Sequence, residues 1–322
     1  MQSAGHDPHP GGPNRPAGVR HGPLKLAAAE TARERLVSFV LAACAAITIL
    51  TTIAVVFVLA RETLAFFLDP AVTLWGFLTD RTWTPLFATK TFGIAPLLAG
   101  TFLVTGIALA VGVPMGLASA IYLSEFASDR LRRRATSILE VLAGIPTVVL
   151  GYFALLFVTP LLQEIIPGLN LFNPLSAGLV MGFMILPTVS SISTDAMQAV
   201  PRSLREAAYG LGATKIDLVL RVVVPAALSG IVAAIILAMS RAVGETMIVS
   251  LAAGQRPFLT LDPRETIATM TSFIVQAATG DQPAGSLASR SLYAVAATLF
   301  TVTLLLNVIS QAVVRRFRER YE

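Results

Sequence analysis

The chain has 322 residues, of which 55% are hydrophobic and only 13% charged, and its mean hydropathy is +0.73. Too few polar side chains are present to cover a soluble globule of this length, so the composition indicates a membrane protein. The net charge of +5 does not indicate nucleic-acid binding, because the basic residues lie in short loops beside apolar segments. The single cysteine, Cys44, excludes an intrachain disulfide, and no Cys/His spacing typical of a metal site is present.

Six apolar segments approach or exceed the roughly 20 residues that a helix needs to cross a bilayer. They cover residues 36–60, 94–122, 138–161, 175–192, 226–253 and 292–314. Residues 1–30 are rich in Gly, Pro and His and are predicted to form a disordered tail. The sequence therefore predicts an all-α, polytopic membrane protein with six transmembrane helices.

The basic residues predict the orientation of these spans, because cytoplasmic loops carry an excess of Lys and Arg. They concentrate in the N-terminal tail, in the loops after the second and fourth spans, and in the C-terminal stretch 315-RRFRER-320. The alternate loops carry fewer of them. Both termini are therefore expected to be cytoplasmic, with the protein in a bacterial-type inner membrane.

The segment after the fourth span does not read as an ordinary connector. Apolar residues recur at helical spacing in 201-PRSLREAAYGL-211, and Gly210 and Gly212 are expected to end this short helix. A second amphipathic run follows and is expected to break at Pro225. The small residues Ala207 and Ala208 leave room for another backbone to approach, which favours a docking surface for a soluble partner. The alternative is an amphipathic helix that lies on lipid.

This segment resembles the EAA loop of ABC importer permeases. The motif residues are Glu206, Ala207 and Ala208, followed at the family's spacing by Gly212 and by Pro225. In that family the loop docks into the ATP-binding subunit, so the resemblance implies a coupling role for these residues and for Gly210 beside them. The chain shows no GxxxxGK[ST] phosphate loop, so ATP hydrolysis is expected in a separate polypeptide.

Two charged residues, Arg241 and Glu245, stand in the otherwise uncharged stretch 226–253. Four positions apart, they are expected to share one helix face and to be able to pair. A mid-membrane charge costs roughly 2.5–3.5 kcal/mol, and such groups usually face a bundle interior or a watery path. Gly244, Ser240 and Thr246 complete this candidate translocation site, in which Arg241 offers forked donors suited to an oxyanion. A purely structural ion pair is the alternative.

The stretch 241-RAVGETM-247 is similar to a signature of the permeases of phosphate-specific ABC importers. The stretches 93-GIAPLLAGTFLVT-105, 144-GIPTVVLGYFAL-155 and 185-ILPTVSSIST-194 agree with it. The similarity covers about residues 93–314 and is closer to the C-type than to the A-type permease of such importers. It implies a type I (MetI-like) importer permease in which Arg241 steadies the anion and Glu245 compensates Arg241 between passages.

The resemblance also implies the domain organisation and the partners. The tail (1–30), the first span with an extracytoplasmic segment (31–92) and a short C-terminal tail (317–322) would flank the permease domain (93–316), whose coupling loop is 195–225. The expected partners are an A-type permease, two ATP-binding subunits, an extracytoplasmic phosphate-binding protein, phosphate and membrane lipid, with no cofactor, metal or nucleic acid.

Three other functions stay open from the residues alone. The chain could carry another oxyanion, such as molybdate or sulfate. It could be an ATP-independent channel or carrier gated by Arg241 and Glu245, although the coupling loop disfavours this. An intramembrane enzyme is disfavoured because no nucleophile–base or metal constellation is present.

Overall fold

The computed structural model describes residues 27–87, 89–283 and 285–317, and side chains within these except at 27–33 and 313–317. Every named element in the described residues is helical. Five helices are long and apolar enough to cross a membrane, and a bent pair gives a sixth if it is counted as one span. The predicted count of six is met only with that pair.

The chain forms two compact units, residues 1–56 and 57–322, and α1 (Ala27–Phe67) runs through the boundary. In the first unit, no described side chain from residue 34 to 56 is buried. A long apolar helix with every side exposed is what a lipid-facing span requires. The predicted span 36–60 is thus confirmed within the longer helix. Of the predicted tail, residues 1–26 lie outside the described part, and residues 27–30 already belong to α1.

The second unit holds the remaining helices. They are α2 (Leu74–Thr79), α3 (Ala95–Ile121), α4 (Asp129–Ala143), α5 (Thr147–Phe153), α6 (Thr159–Ile165), α7 (Pro174–Gln198), α8 (Arg202–Gly210), α9 (Lys215–Leu218), α10 (Val224–Ala226), α11 (Leu228–Val243), α12 (Met270–Thr279) and α13 (Leu287–Phe317). Four π-helical turns lie between or beside them, at Tyr122–Phe126, Ala154–Val158, Val219–Val223 and Val249–Ala253. The helices α3, α7 and α13 confirm the second, fourth and sixth predicted spans.

Two predicted spans need correction. The third, 138–161, is broken at 144-GIP-146, since Pro146 cannot donate a backbone hydrogen bond. Residues 138–143 belong to the amphipathic α4, and the span itself is Thr147–Ile165. The fifth, 226–253, is not one continuous helix: the chain bends by 69° between Lys215–Ala226 and Leu228–Val243, and α11 then ends at Val243.

The central helix pair, α3 and α7, packs through facing glycines. Each helix carries a G-x-x-x-G spacing, Gly112 with Gly116 and Gly178 with Gly182. A Cβ at Gly112 would lie 2.6 Å from the carbonyl oxygen of Gly182, and one at Gly178 would lie 2.7 Å from Ile107 Cβ. Small residues let backbones approach closely where helices pack in lipid. The close approach therefore depends on the glycines themselves.

A second cluster is aromatic and surrounds Trp83 in the segment between α1 and α3. Phe77, Phe92 and Phe273 meet its ring edge-to-face, with centroids 6.2, 6.2 and 5.0 Å away. Such pairs add about 0.5–1.5 kcal/mol each to the burial of their area. The long segment 61–92 is therefore a packed part of the second unit rather than a loose connector.

We expect Gly112→Leu to destabilise the second unit by at least ~1–3 kcal/mol, the usual cost of overpacking. Thermal unfolding of the purified protein, followed by tryptophan fluorescence, measures the loss. Gly106→Leu is the matched control on the same helix, because a Cβ there meets no atom within 4 Å. Equal losses in the two variants would show that the α3–α7 contact does not depend on Gly112.

Candidate translocation and coupling sites

The candidate translocation site lies at an interruption of the fifth apolar segment. The helix α11 ends at Val243, with Gly244 as its C-cap. The Glu245 carboxylate then accepts hydrogen bonds from the backbone N–H groups of Met247 (3.0 Å) and Ile248 (3.3 Å). It thereby satisfies two donors at the start of the next helical turn. Glu245 is 9% exposed and acts as a cap within the bundle.

The backbone of Glu245 is also held from outside its own segment. The hydroxyl of Thr271, in the first turn of α12, donates to the Glu245 carbonyl oxygen at 2.7 Å. Thr105 on α3 lines the same narrow gap, and its buried hydroxyl has no hydrogen-bond partner among the described residues. The helix α12 thus holds the interruption by a hydrogen bond, and α3 lines the gap beside it.

Arg241 points to a different partner. Its side chain is exposed in the isolated chain, and Nη1 donates to the Thr188 hydroxyl on α7 at 3.3 Å. No ion pair joins Arg241 to Glu245, nor to any other described carboxylate. The expected pairing on one helix face is therefore wrong, because the helix ends between the two residues and Glu245 serves as a cap. Arg241 is left as a positive charge held by a neutral hydroxyl.

The other candidate residues flank this interruption without converging on Arg241. The Ser240 hydroxyl donates to Asn307 Oδ1 on α13 at 3.0 Å, and the Thr246 hydroxyl donates to the Gly244 carbonyl at 3.3 Å. A Cβ at Gly244 would meet no atom closer than 3.6 Å. Gly244 therefore ends the helix rather than admitting a close neighbour.

Thr188 was missed in the sequence, although 185-ILPTVSS-191 supplied part of the resemblance. It lines a cavity of about 700 Å³ between α4 and α7, and Ser191 and Asp195 line the same wall. The spacing of these three residues on one helix face could have indicated a polar wall. Only the fold places Arg241 beside Thr188.

The coupling loop confirms the predicted helix and corner. The helix α8 ends at Gly210, and Gly212 has φ +81°. The N–H of Gly212 donates to the Tyr209 carbonyl (2.9 Å), and that of Ala213 donates to the Ala208 carbonyl (3.1 Å). These two bonds form a Schellman motif with Gly212 in the left-handed position. Gly212 therefore makes the corner, whereas Gly210 belongs to the helix.

The motif residues divide between a buried and an exposed face. Ala208 is buried in an apolar cluster with Leu218 and Val223, while Glu206 and Ala207 are exposed. Beside them lie exposed apolar side chains, which are Tyr209, Leu211, Ile216 and Leu220. One of these, Leu211, is 90% exposed. An apolar patch around a small-residue face is typical of a docking surface.

Pro225 was expected to break the second amphipathic run, but it does not. It lies within α10, and the 69° bend comes two residues later, at Ala227. Its missing N–H costs little there because it occupies the first turn of that helix.

Residues 112–321 match the model of the family described as binding-protein-dependent transport system inner membrane component. The chain belongs to this family. Its members include the importer permeases that the coupling loop resembles, so the protein is a multi-pass permease, the transport subunit of an ABC importer.

Two relatives sharpen the comparison. The chain is 33% identical over 266 residues to a probable ABC transporter permease protein, YqgH, from Bacillus subtilis, covering 83% of this chain and 86% of the relative. It is 33% identical over 265 residues to a phosphate transport system permease protein, PstC, from Mesorhizobium japonicum, covering 76% and 80%. The resemblance to C-type permeases is thus confirmed.

A solved structure shows the same fold. The crystal structure of a bacterial ABC transporter involved in alginate import aligns with a TM-score of 0.61 at 16% identity, covering 90% of this chain and 100% of that one. The predicted all-α fold of an importer permease is confirmed.

We expect Gly212→Ala to lower the free energy of local unfolding of the coupling loop by about 1–2 kcal/mol, the cost of a left-handed conformation for a residue with a Cβ. Backbone amides of α8 would then exchange with deuterium about 5- to 30-fold faster if they exchange through local opening. Gly210→Ala is the control, because it is helical and open to solvent, and alanine is the better helix former. Equal exchange in both variants would contradict the assignment of the corner to Gly212.

Proposed function

We propose that the chain is the C-type permease subunit of an ATP-driven importer of inorganic phosphate. The observation that carries this is Arg241, an exposed guanidinium beside a helix interruption, with no described carboxylate within 4.0 Å. A guanidinium is permanently charged and presents forked donors that match a phosphate oxyanion. The name of the Mesorhizobium relative supports the choice of phosphate.

Arg241 attracts the anion during passage, and the Thr188 hydroxyl positions its guanidinium. The two side chains offer few hydrogen-bond donors, and both are partly exposed to solvent. This suits weak, transient binding of the anion, since a tight site would hold the substrate. Glu245 acts differently from a counter-ion. It fixes the interruption that exposes Arg241, and its buried carboxylate beside the Thr105 gap keeps the anion on the Arg241 side.

The energy for transport comes from partner chains. The importer would have two ATP-binding subunits, one of which would dock on this coupling loop through Glu206, Ala207 and the apolar patch around Leu211. This chain would not hydrolyse ATP. An A-type permease completes the pathway, and an extracytoplasmic phosphate-binding protein delivers the anion. Both termini and the coupling loop lie in the cytoplasm.

We expect Arg241→Gln to reduce radiolabelled phosphate uptake at least tenfold in cells without their own high-affinity importer. Glutamine keeps a hydrogen-bond donor but removes the charge that attracts the anion. Arg241→Lys keeps the charge without the fork and should retain intermediate uptake. Pull-down of the ATP-binding subunit controls for assembly. Unchanged uptake by an assembled Arg241→Gln complex would refute the role of Arg241, and equal competition by molybdate or sulfate would refute phosphate selectivity.

We also expect Leu211→Asp to reduce co-purification of the ATP-binding subunit at least tenfold, because a charge is placed in the apolar patch. Leu261→Asp is the matched control. Leu261 is also exposed, at 75%, but lies in the segment 254–269, away from the coupling loop. Equal loss in both variants, or no loss in either, would contradict docking on this patch.

A further inference from the structure

The end of α3 is joined to the coupling helix by a buried ion pair. Arg205 Nη1 lies 2.6 Å from Glu125 Oε2, and the two side chains are 20% and 5% exposed. The pair is completed by neighbours: the Ser124 hydroxyl donates to Glu125 Oε1 at 2.9 Å, and Arg205 Nη2 donates to the Met197 carbonyl at 2.8 Å. Glu125 lies in the π-helical turn Tyr122–Phe126, so residues 80 positions apart in the chain are held directly.

Two other residues, one from α4 and one that follows the coupling corner, also contact this π-helical turn. Arg132, in the first turns of α4, donates from Nε to the Leu123 carbonyl (2.7 Å) and from Nη2 to the Ser124 carbonyl (3.0 Å). Lys215 Nζ, just after the coupling corner, lies 4.8 Å from the centre of the Phe126 ring. The turn is therefore the point where α3, α4 and the coupling loop meet.

A buried ion pair adds little to the free energy of folding, because removal of the two charges from water offsets much of their Coulomb energy. Apolar residues of similar size would serve packing as well. The pair instead fixes geometry, because two charges with fixed hydrogen-bond partners allow one relative position of α8 and α3. The covalent route from α8 leads only into α7 and α11.

We propose that Glu125 is a positioning residue that transmits movement of the coupling helix α8 into α3. This rests on the proposed function, in which the ATP-binding subunits move α8. Because α3 and α7 are packed through glycines, a force that reaches both helices moves the pair together. Without the Glu125–Arg205 link, α8 would still share an apolar cluster with Ala120 on α3, but no ion pair would fix its position against α3. ATP hydrolysis would then continue with little transport.

The test uses the complete importer complex in nanodiscs. A spin label is placed on α3 at Met115→Cys, a site 44% exposed, in a Cys44→Ala background. The change in its spectrum between the nucleotide-free and ATP–vanadate states reports movement of α3 without any substrate. ATP hydrolysis, pull-down of the ATP-binding subunit, and phosphate uptake in liposomes are measured alongside.

We expect Glu125→Gln to reduce the spectral change at least fivefold and uptake at least tenfold, with hydrolysis and pull-down within twofold of wild type. Asp129→Asn is the matched control, because it removes an exposed ion pair with Arg132 in the same region, its carboxylate being 80% exposed. If Glu125→Gln does not assemble, the double variant Glu125→Leu/Arg205→Met keeps the packing and should show the same uncoupling.

A spectral change of wild-type size in the Glu125 variant would overturn the proposal. So would loss of hydrolysis and pull-down in parallel with uptake in the double variant, since that is the result of a purely structural pair. The proposed function fails separately if the wild-type complex hydrolyses ATP and moves the label but takes up no phosphate.

Discussion

A helix interrupted at membrane depth must satisfy the backbone groups that the interruption frees, because lipid offers no hydrogen bonds. Here the Glu245 carboxylate takes two N–H groups, and the Thr271 hydroxyl binds the carbonyl of the same residue. The arrangement around Arg241 depends on this. Because Glu245 caps the backbone, it does not pair with Arg241, and the guanidinium has no carboxylate partner among the described residues.

Two charged groups of the second unit, the Glu125–Arg205 pair and Arg241, differ in burial and in their partners. Glu125 and Arg205 neutralise each other in a largely buried pair with further hydrogen bonds to Ser124 and Met197, which fixes two elements relative to one another. Arg241 is exposed, and among the described side chains it hydrogen-bonds a neutral hydroxyl, that of Thr188. The first arrangement suits transmission of force, and the second suits brief contact with a mobile ion. Proximity of opposite charges in sequence, as at Arg241 and Glu245, does not tell these roles apart.

The parts of the fold that depend on local pattern could be predicted, and those that depend on distant contacts could not. Long apolar runs predicted α3, α7 and α13, and the spacing of Gly212 predicted the corner. The end of α11 was missed because nothing in 241-RAVGETM-247 distinguishes a continued helix from one capped by Glu245. Glu125 was missed because its partner lies 80 residues away. The role of the site residues stays a prediction.

Rigidity connects the two sites. Movement at α8 can reach the surroundings of Arg241 only through elements that do not deform on the way. The α3–α7 pair suits this requirement, because the two backbones approach so closely at the glycines that a Cβ would not fit. Thr188 on α7 also accepts a hydrogen bond from the Arg241 side chain. A rotation of α7 would therefore change the hydrogen bond of Arg241 directly. If Arg241 attracts the anion as proposed, such a rotation would free its guanidinium, and affinity at this site would then depend on the movement of the coupling helix.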